Sequence, residues 1–494
     1  MLRISNKQLG RGLFSLWASA CLIVTPGATY AQTTPTWAAT AAQPASSPRP
    51  TASASNAAAS TLTTPSLPAI PTPSFPTIPI TPPSPTPTLT LPPTVVPTQR
   101  PPPHPQIDLQ ATLRSLQQTL NERYSSPNTS EHPQHEPGQL IVSWPITLSG
   151  PPIAQIQASG GTILSVHSLR NLGISMAVVQ YSSPGQAEAA LPALQNLAPE
   201  ILADRLARAY PMQASPDRGH DRSQQQARHY ALAMLNWKSL TKTQLSQPIS
   251  IGIIDTAIAA PQALAALSYK SVNLLPYGMR PASTEHGTGI AAAIAAQPSE
   301  QFHGAARNAH LRVASIMREI TPKLSASHTA LIAQALDWLM SEKVQIINLS
   351  LGSAHDKVLE QVIRLTLDQG IVLVAAAGNA GPQSPPVYPA AYPGVIAVTA
   401  VDTAKQLYSK ANRGAYIAIA APGVDVWLPV AQGKYMSGTS FATPFVAAAV
   451  AHLLASQPQQ AWNDSSIRQA LCQTAQQLPR ESQREASGCG LLQP

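Results

Sequence analysis

Hydrophobic and polar positions divide the chain into stretches of different period. Near the start, Arg3, Lys7 and Arg11 precede an apolar run from Gly12 to Val24, and Thr29-Tyr30-Ala31 follows. The run is shorter than the ~20 apolar residues a bilayer-spanning helix needs. Residues 1–31 are therefore expected to be a cleavable secretory signal rather than an uncleaved anchor. Lipidation at Cys21 is a weaker alternative, because Ala18 stands where a leucine is wanted and apolar residues continue past the cysteine. Between 137 and 212, Gln139 to Trp144, Thr162 to Val166, Ile174 to Tyr181 and Leu202 to Tyr210 read as strands, with helices at Ile153 to Ala158 and Gln186 to Leu197. The order β-α-β-β-α-β is that of a small ferredoxin-like sandwich. Further on, the apolar strand runs Pro248 to Asp255, Val344 to Gly352 and Ile371 to Asn379 alternate with helix-period segments at Thr329 to Lys343 and Asp356 to Gln369. This alternation predicts an α/β domain with a parallel sheet covered by helices on both faces. In such folds the reactive groups gather outside the carboxyl ends of the strands.

Composition adds a third kind of segment. Residues 32–106 hold 21 of the 50 prolines, no Asp or Glu, and only Arg49 and Arg100 as charges. That stretch cannot bury a core and reads as a disordered Pro/Thr/Ser/Ala-rich spacer. The organisation expected is a signal peptide 1–31, spacer 32–106, linker 107–136, ferredoxin-like domain 137–212, exposed linker 213–228 and α/β domain 229–494. With 11% charged residues and a net charge of +8 scattered along the chain, a nucleic-acid partner is not expected. No further segment reads as a transmembrane span, so the mature chain is expected to be exported: secreted, periplasmic or held at the cell envelope. Cys21 leaves with the signal, so Cys472 and Cys489 remain as an even pair. A disulfide and two buried free thiols are both open readings.

Three stretches in the last block carry chemistry. The strand Ile249 to Ile254 ends in Asp255, a carboxylate at a strand's carboxyl end. Glu285-His286-Gly287-Thr288-Gly289 precedes an Ala/Ile helical run, which sets an imidazole at a helix start with glycines beside it. Ser437-Gly438-Thr439-Ser440-Phe441-Ala442-Thr443-Pro444 opens the apolar run Phe445 to Leu454 and sets a hydroxyl at a helix N-terminus. Together they supply what acyl transfer needs: Ser440 as nucleophile, His286 as general base and acid, and Asp255 to hold the imidazole tautomer. The helix dipole favours negative charge at Ser440.

These motifs, in the order Asp, His, Ser, resemble the catalytic domain of the subtilisin-like serine proteases. The resemblance runs from about residue 226 to the end. Ile347 to Gly352 resembles the family's substrate-lining strand, and Ala375-Ala376-Ala377-Gly378-Asn379 the stretch bearing its oxyanion-hole asparagine. Tyr388 to Pro393 and Ala421-Pro422-Gly423 also match. The resemblance implies a serine endopeptidase acting on proteins or peptides, with Asn379 and the Ser440 N–H in the oxyanion hole. Ser350, Leu351, Gly352, Ala375, Ala376 and Gly378 would line a substrate groove for an apolar or aromatic residue. Residues 137–212 are similar in position and element order to the family's propeptide, which implies a zymogen with an intramolecular inhibitor, cleaved within the exposed stretch 213–228. No metal or organic cofactor is expected; structural calcium is common in the family, but no acidic loop names a site. Ala257 stands where the family usually has Gly, and Phe445 where many members have His. Two other readings are a catalytically silent peptide-binding protein and an envelope-associated protein acting mainly through its Pro-rich segment.

Overall fold

A computed structural model describes residues 132–212, 228, 230–237, 242–259, 264, 267, 269–299, 302–322, 324–479 and 486–494. The expected signal peptide, the Pro-rich spacer and almost all of both linkers lie outside the described residues.

The alternating apolar segments after residue 132 form β1 (His135–Pro145), α1 (Ile153–Ala158), β2 (Thr162–Leu169), β3 (Ile174–Gln180), α2 (Pro184–Gln195) and β4 (Leu202–Pro211). Helix α2 starts where Ser183 accepts a hydrogen bond from Gln186 N and Pro184 takes the first helical position, a favoured N-terminal pairing. The strands are antiparallel in the order β2-β3-β1-β4, the ferredoxin-like arrangement. Side chains alternate between the two faces of the sheet. Leu140, Val142 and Val179 pack with Ile156, Leu191 and Leu194 beneath the helices.

The α/β part contains α3 (Tyr230–Met234), β5 (Ser250–Asp255), β6 (Tyr269–Asn273), α4 (Glu285–Ala295), β7 (His310–Ser315), β8 (Arg318–Thr321), β9 (Leu324–His328) and α5 (Thr329–Ser341). It continues with β10 (Ile346–Leu349), β11 (Leu351–Ser353), α6 (Lys357–Asp368), β12 (Val372–Ala376), β13 (Ile396–Val401), β14 (Ile417–Pro422), β15 (Val426–Leu428), β16 (Lys434–Met436), α7 (Thr439–Ser456) and α8 (Asp464–Thr474). Among the described residues a parallel sheet runs in the order β14-β13-β12-β10-β5-β7-β6. The chain places β6 and β7 on one side of β5 and β10, β12, β13 and β14 on the other, so the topological switch point falls between β5 and β10. Period-two alternation sends Ile251, Ile253 and Val374 to the side of α4 and α7, and Ile254, Ile347 and Leu373 to the side of α5 and α6. At Gly252 helix α5 comes so close that an added Cβ would lie 2.9 Å from Leu339 Cδ1.

Ile141, Met176, Val178 and Leu206, on the second face of the ferredoxin-like sheet, share one buried cluster with Leu336, Val358, Leu359 and Val362 of α5 and α6. Polar groups frame this apolar contact. Asn171 N and Leu172 N donate to Asp337 Oδ1 at 2.7 and 3.1 Å, and Lys357 N donates to Asp204 Oδ2 at 2.9 Å. Glu136 pairs with Arg208 at 2.7 Å and with Arg318 at 2.5 Å.

Two sequence expectations change. Val344 to Gly352 is not one strand: it breaks at Ser350, after which β11 leaves the parallel sheet and pairs with β4. Helix α7, with mean hydropathy 1.4, is long and apolar enough to cross a membrane, contrary to the expectation that no such segment follows the signal. It is 78% buried, because it is the central helix of the α/β core and needs apolar residues all round.

Cys472 and Cys489 form a disulfide with a Cα–Cα separation of 5.4 Å. The cross-link ties α8 to the C-terminal segment, where Gly490 O accepts from Ala420 N and Leu492 N donates to Ala420 O, both at 2.8 Å. The tail thereby covers the free edge of β14, which would otherwise expose unpaired backbone groups. In a chain inactivated by Ser440→Ala, replacing both cysteines by serine is expected to lower unfolding stability by ~3 kcal/mol, read as a lower urea midpoint; an unchanged midpoint would show that the tail holds without the cross-link.

His328, at the end of β9, is paired with Arg208 of β4. Burial pulls its pKa from 6.5 to about 4, with Glu136 raising it and Arg318 and His167 lowering it. The folded state therefore binds fewer protons than the unfolded state in this window. Stability present above pH 6.5 is lost as pH falls toward 4. In the same inactive background, His328→Gln is expected to flatten the fall in melting temperature over that range.

Candidate active site

Strand β5 ends at Asp255, at the switch point of the sheet. Its carboxylate is fully buried and faces two donors: Oδ1 and Oδ2 lie 2.7 and 2.9 Å from His286 Nδ1, and Oδ1 takes Thr256 N at 2.7 Å. His286 sits in the first turn of α4. That turn is docked by Thr256 Oγ1, which accepts from Gly287 N at 2.9 Å. An added Cβ at Gly287 would lie 2.5 Å from Thr256 O, so only glycine permits this approach of helix to strand end. With Nδ1–H donating to the carboxylate, Nε2 carries the lone pair. Nε2 is buried without a hydrogen-bond partner among the described residues. The imidazole packs on Phe441 with ring centroids 5.3 Å apart, and Phe441 is the neighbour of Ser440.

Ser440 is the second residue of α7, entered through Gly438 at φ 143°. Pro444 lies in the second turn of the helix. Lacking an N–H, it leaves the carbonyl of Ser440 without its helical partner. Ser350 Oγ supplies the missing donor at 3.0 Å and is itself held by Asn348 Nδ2 at 2.9 Å. The Ser440 hydroxyl donates to Ser350 O at 3.1 Å, so in this state it is directed to the groove wall and not to His286.

Asn379 follows β12. Its Oδ1 accepts from Thr439 N and Thr439 Oγ1 at 2.9 and 3.1 Å, which fixes the amide so that Nδ2 points into the groove. The loop is shaped by Asn412, which accepts from Ala380 N and donates to Pro385 O, each at 2.9 Å. Gly378, at φ 110°, lies against Asn412, where an added Cβ would come within 2.8 Å of Asn412 Cγ.

The groove holds part of the chain itself. Strand β4 runs antiparallel to β11, with Pro211, Tyr210 and Ala209 opposite Leu351, Gly352 and Ser353. On its other side Ala209 and Arg208 face Ser327 and His328 of β9. Met212 N donates to Ser350 O at 3.0 Å, and Met212 O accepts from Ser440 N at 3.2 Å and from Asn379 Nδ2 at 2.5 Å. Two donors from separate elements thus converge on one carbonyl oxygen.

Of the residues singled out by sequence, Asp255 and His286 are brought into direct contact, and Ser440 and Asn379 meet at the Met212 carbonyl. Ser350, Leu351 and Gly352 flank the seated segment. Ala375 and Ala376 are instead fully buried interior residues of β12, paired with Leu349 and Ala397 and with Val398 respectively, and Gly378 N donates to Thr439 Oγ1 at 3.2 Å. Sequence reasoning missed Met212, Thr256, Thr439 and Asn412. Thr256 and Thr439 stood beside motif residues, but nothing local marked Met212 or Asn412.

Residues 246–490 match the sequence profile of the subtilase family. A thermophilic serine proteinase of Bacillus sp. (strain AK1) is 40% identical over 199 residues, or 39% of this chain and 47% of the relative. Subtilisin DY of Bacillus licheniformis is 34% identical over 244 residues, 47% of this chain and 84% of the relative. The chain spans about half the length of the first curated relatives it matches. The crystal structure of fervidolysin from Fervidobacterium pennivorans, a keratinolytic enzyme related to subtilisin, aligns with a TM-score of 0.59 at 20% identity, covering 73% of this chain and 60% of that one. At that identity the likeness concerns the fold. The sequence match over the α/β part and the relative covered across most of its length assign this chain to the subtilase family.

Proposed function

We propose that the chain is an exported serine endopeptidase, made as a zymogen, that hydrolyses peptide bonds through an acyl-enzyme on Ser440. The observation that carries this reading is the convergence of Asn379 Nδ2 and Ser440 N–H on a single carbonyl oxygen, beside a buried Asp255–His286 pair. Donors so placed stabilise the negative oxygen that develops when a carbonyl is attacked. Asp255 keeps the proton on Nδ1, which leaves Nε2 free to receive the Ser440 proton and later give it to the leaving amine. The hydroxyl reaches Nε2 by turning about its Cα–Cβ bond, away from Ser350 O. The reaction so written uses protein groups and water, with no cofactor.

Substrate backbone joins β11 and β9 as an added strand, so the groove suits extended segments of protein or peptide. The ferredoxin-like unit acts as inhibitor by supplying such a segment from its own last strand. Export is supported by the leader-like residues 1–31 and by the disulfide, a bond that persists in oxidising compartments.

A fluorophosphonate probe is expected to label the processed chain, and Ser440→Ala to abolish both labelling and peptide hydrolysis; a folded, unlabelled wild type would favour a peptide-binding protein instead. Asn379→Ala is expected to cut kcat ~10²- to 10³-fold with little change in KM. Equal activity in that variant would remove Asn379 from the oxyanion site.

A further inference from the structure

We infer that the bond cut by this chain's own Ser440 is Met212–Gln213, so that the active form begins at Gln213. This rests on the reading of Ser440 as nucleophile and goes beyond it by naming the substrate bond.

Register decides which bond is presented. The antiparallel pairing of β4 with β11 ends at Pro211–Leu351, and the next donor along the chain, Met212 N, bonds Ser350 O. The next acceptor is Met212 O, and it is the atom on which Asn379 Nδ2 and Ser440 N converge. The polarised carbon is therefore that of Met212, and the group on its far side is the nitrogen of Gln213. Because one of the two donors is the backbone N–H of Ser440, the nucleophilic oxygen belongs to the same residue that holds the carbonyl.

Side chains fit this register. Met212 lies on Gly352, where an added Cβ would sit 2.9 Å from Met212 Cε and 3.1 Å from Sδ. Ala209 is fully buried in the cluster shared by the two units, whereas Tyr210 and Pro211 are only half-buried. Selectivity thus falls on an apolar residue without branching at Cβ at the cleaved position and a small residue three places before it. The expectation of cleavage within 213–228 is sharpened to the boundary of that stretch.

In the step, Ser440 Oγ adds to the Met212 carbonyl carbon while its proton passes to His286 Nε2, and the carbonyl electron pair moves to the oxygen held by Asn379 and Ser440 N–H. Collapse breaks the bond to Gln213, whose nitrogen takes the proton from Nε2. Water then adds to the ester, giving one proton to Nε2, and the carbon–Oγ bond breaks as that proton returns to Oγ. One peptide bond and one water become the Met212 carboxylate and the Gln213 amine.

The test follows the full chain and its Ser440→Ala variant by intact mass and by sequencing of terminal peptides. The expected products are one fragment ending at Met212 and one starting at Gln213, with its amine free or cyclised, both absent from Ser440→Ala. Met212→Leu should keep conversion at this bond, and Met212→Asp should slow it ~10²-fold. Ser440-dependent cleavage at another bond, or equal conversion of Met212→Asp, would overturn the assignment while leaving the peptidase reading intact. A wild-type chain that is labelled by a fluorophosphonate but stays whole would overturn it too. Loss of both labelling and cleavage would sink the peptidase reading beneath it.

Discussion

A carboxylate with no exposed surface is the constraint from which the rest of the site follows. Burying an ionised group costs several kcal/mol unless hydrogen-bond donors surround it, and Asp255 obtains them from the His286 ring and Thr256 N. To bring that ring to the end of β5, helix α4 must start against the strand terminus, which forces glycine at 287. The glycine that directly follows the histidine is thus a consequence of burying the aspartate. The same contact fixes which imidazole nitrogen is left to take a proton.

A second constraint acts on backbone groups. Ser350 lies where the chain leaves the parallel sheet, and both its side chain and its carbonyl are committed. The hydroxyl replaces the helical donor that Pro444 denies to Ser440 O, and the carbonyl accepts from the Ser440 hydroxyl and from Met212 N. One residue therefore ties the helix that carries Ser440 to the wall of the groove. The break in the strand at this point frees β11 to pair with an incoming segment, something an unbroken β10 inside the sheet could not do.

The seated segment explains why the ferredoxin-like unit needs both an apolar face and an extended last strand. Its sheet buries Ile141, Met176 and Leu206 on α5 and α6, which sets the position of β4. The strand then runs past the sheet it belongs to and is claimed on both edges by β9 and β11. Docking by a broad apolar surface and threading by main-chain pairing are separate interactions, with the Glu136–Arg208–Arg318 ion group at the seam between them.

Much of this was legible in the sequence, for reasons that can be named. Strand and helix periodicity are local, and they read the α/β alternation and the β-α-β-β-α-β order because side-chain direction repeats every two or 3.6 residues. Asp255, His286, Ser440 and Asn379 stood in short motifs because each needs particular close neighbours: a strand end, a glycine, a helix start, a turn. What the tertiary structure decided involves partners far apart in the chain. It chose the disulfide over free thiols by bringing Cys472 and Cys489 together, and it made α7 a core helix by surrounding it, since composition alone does not distinguish a lipid environment from a protein interior. It also put Met212 under the Asn379 and Ser440 donors, because main-chain hydrogen bonds accept almost any residue and so leave no mark on the residues that make them.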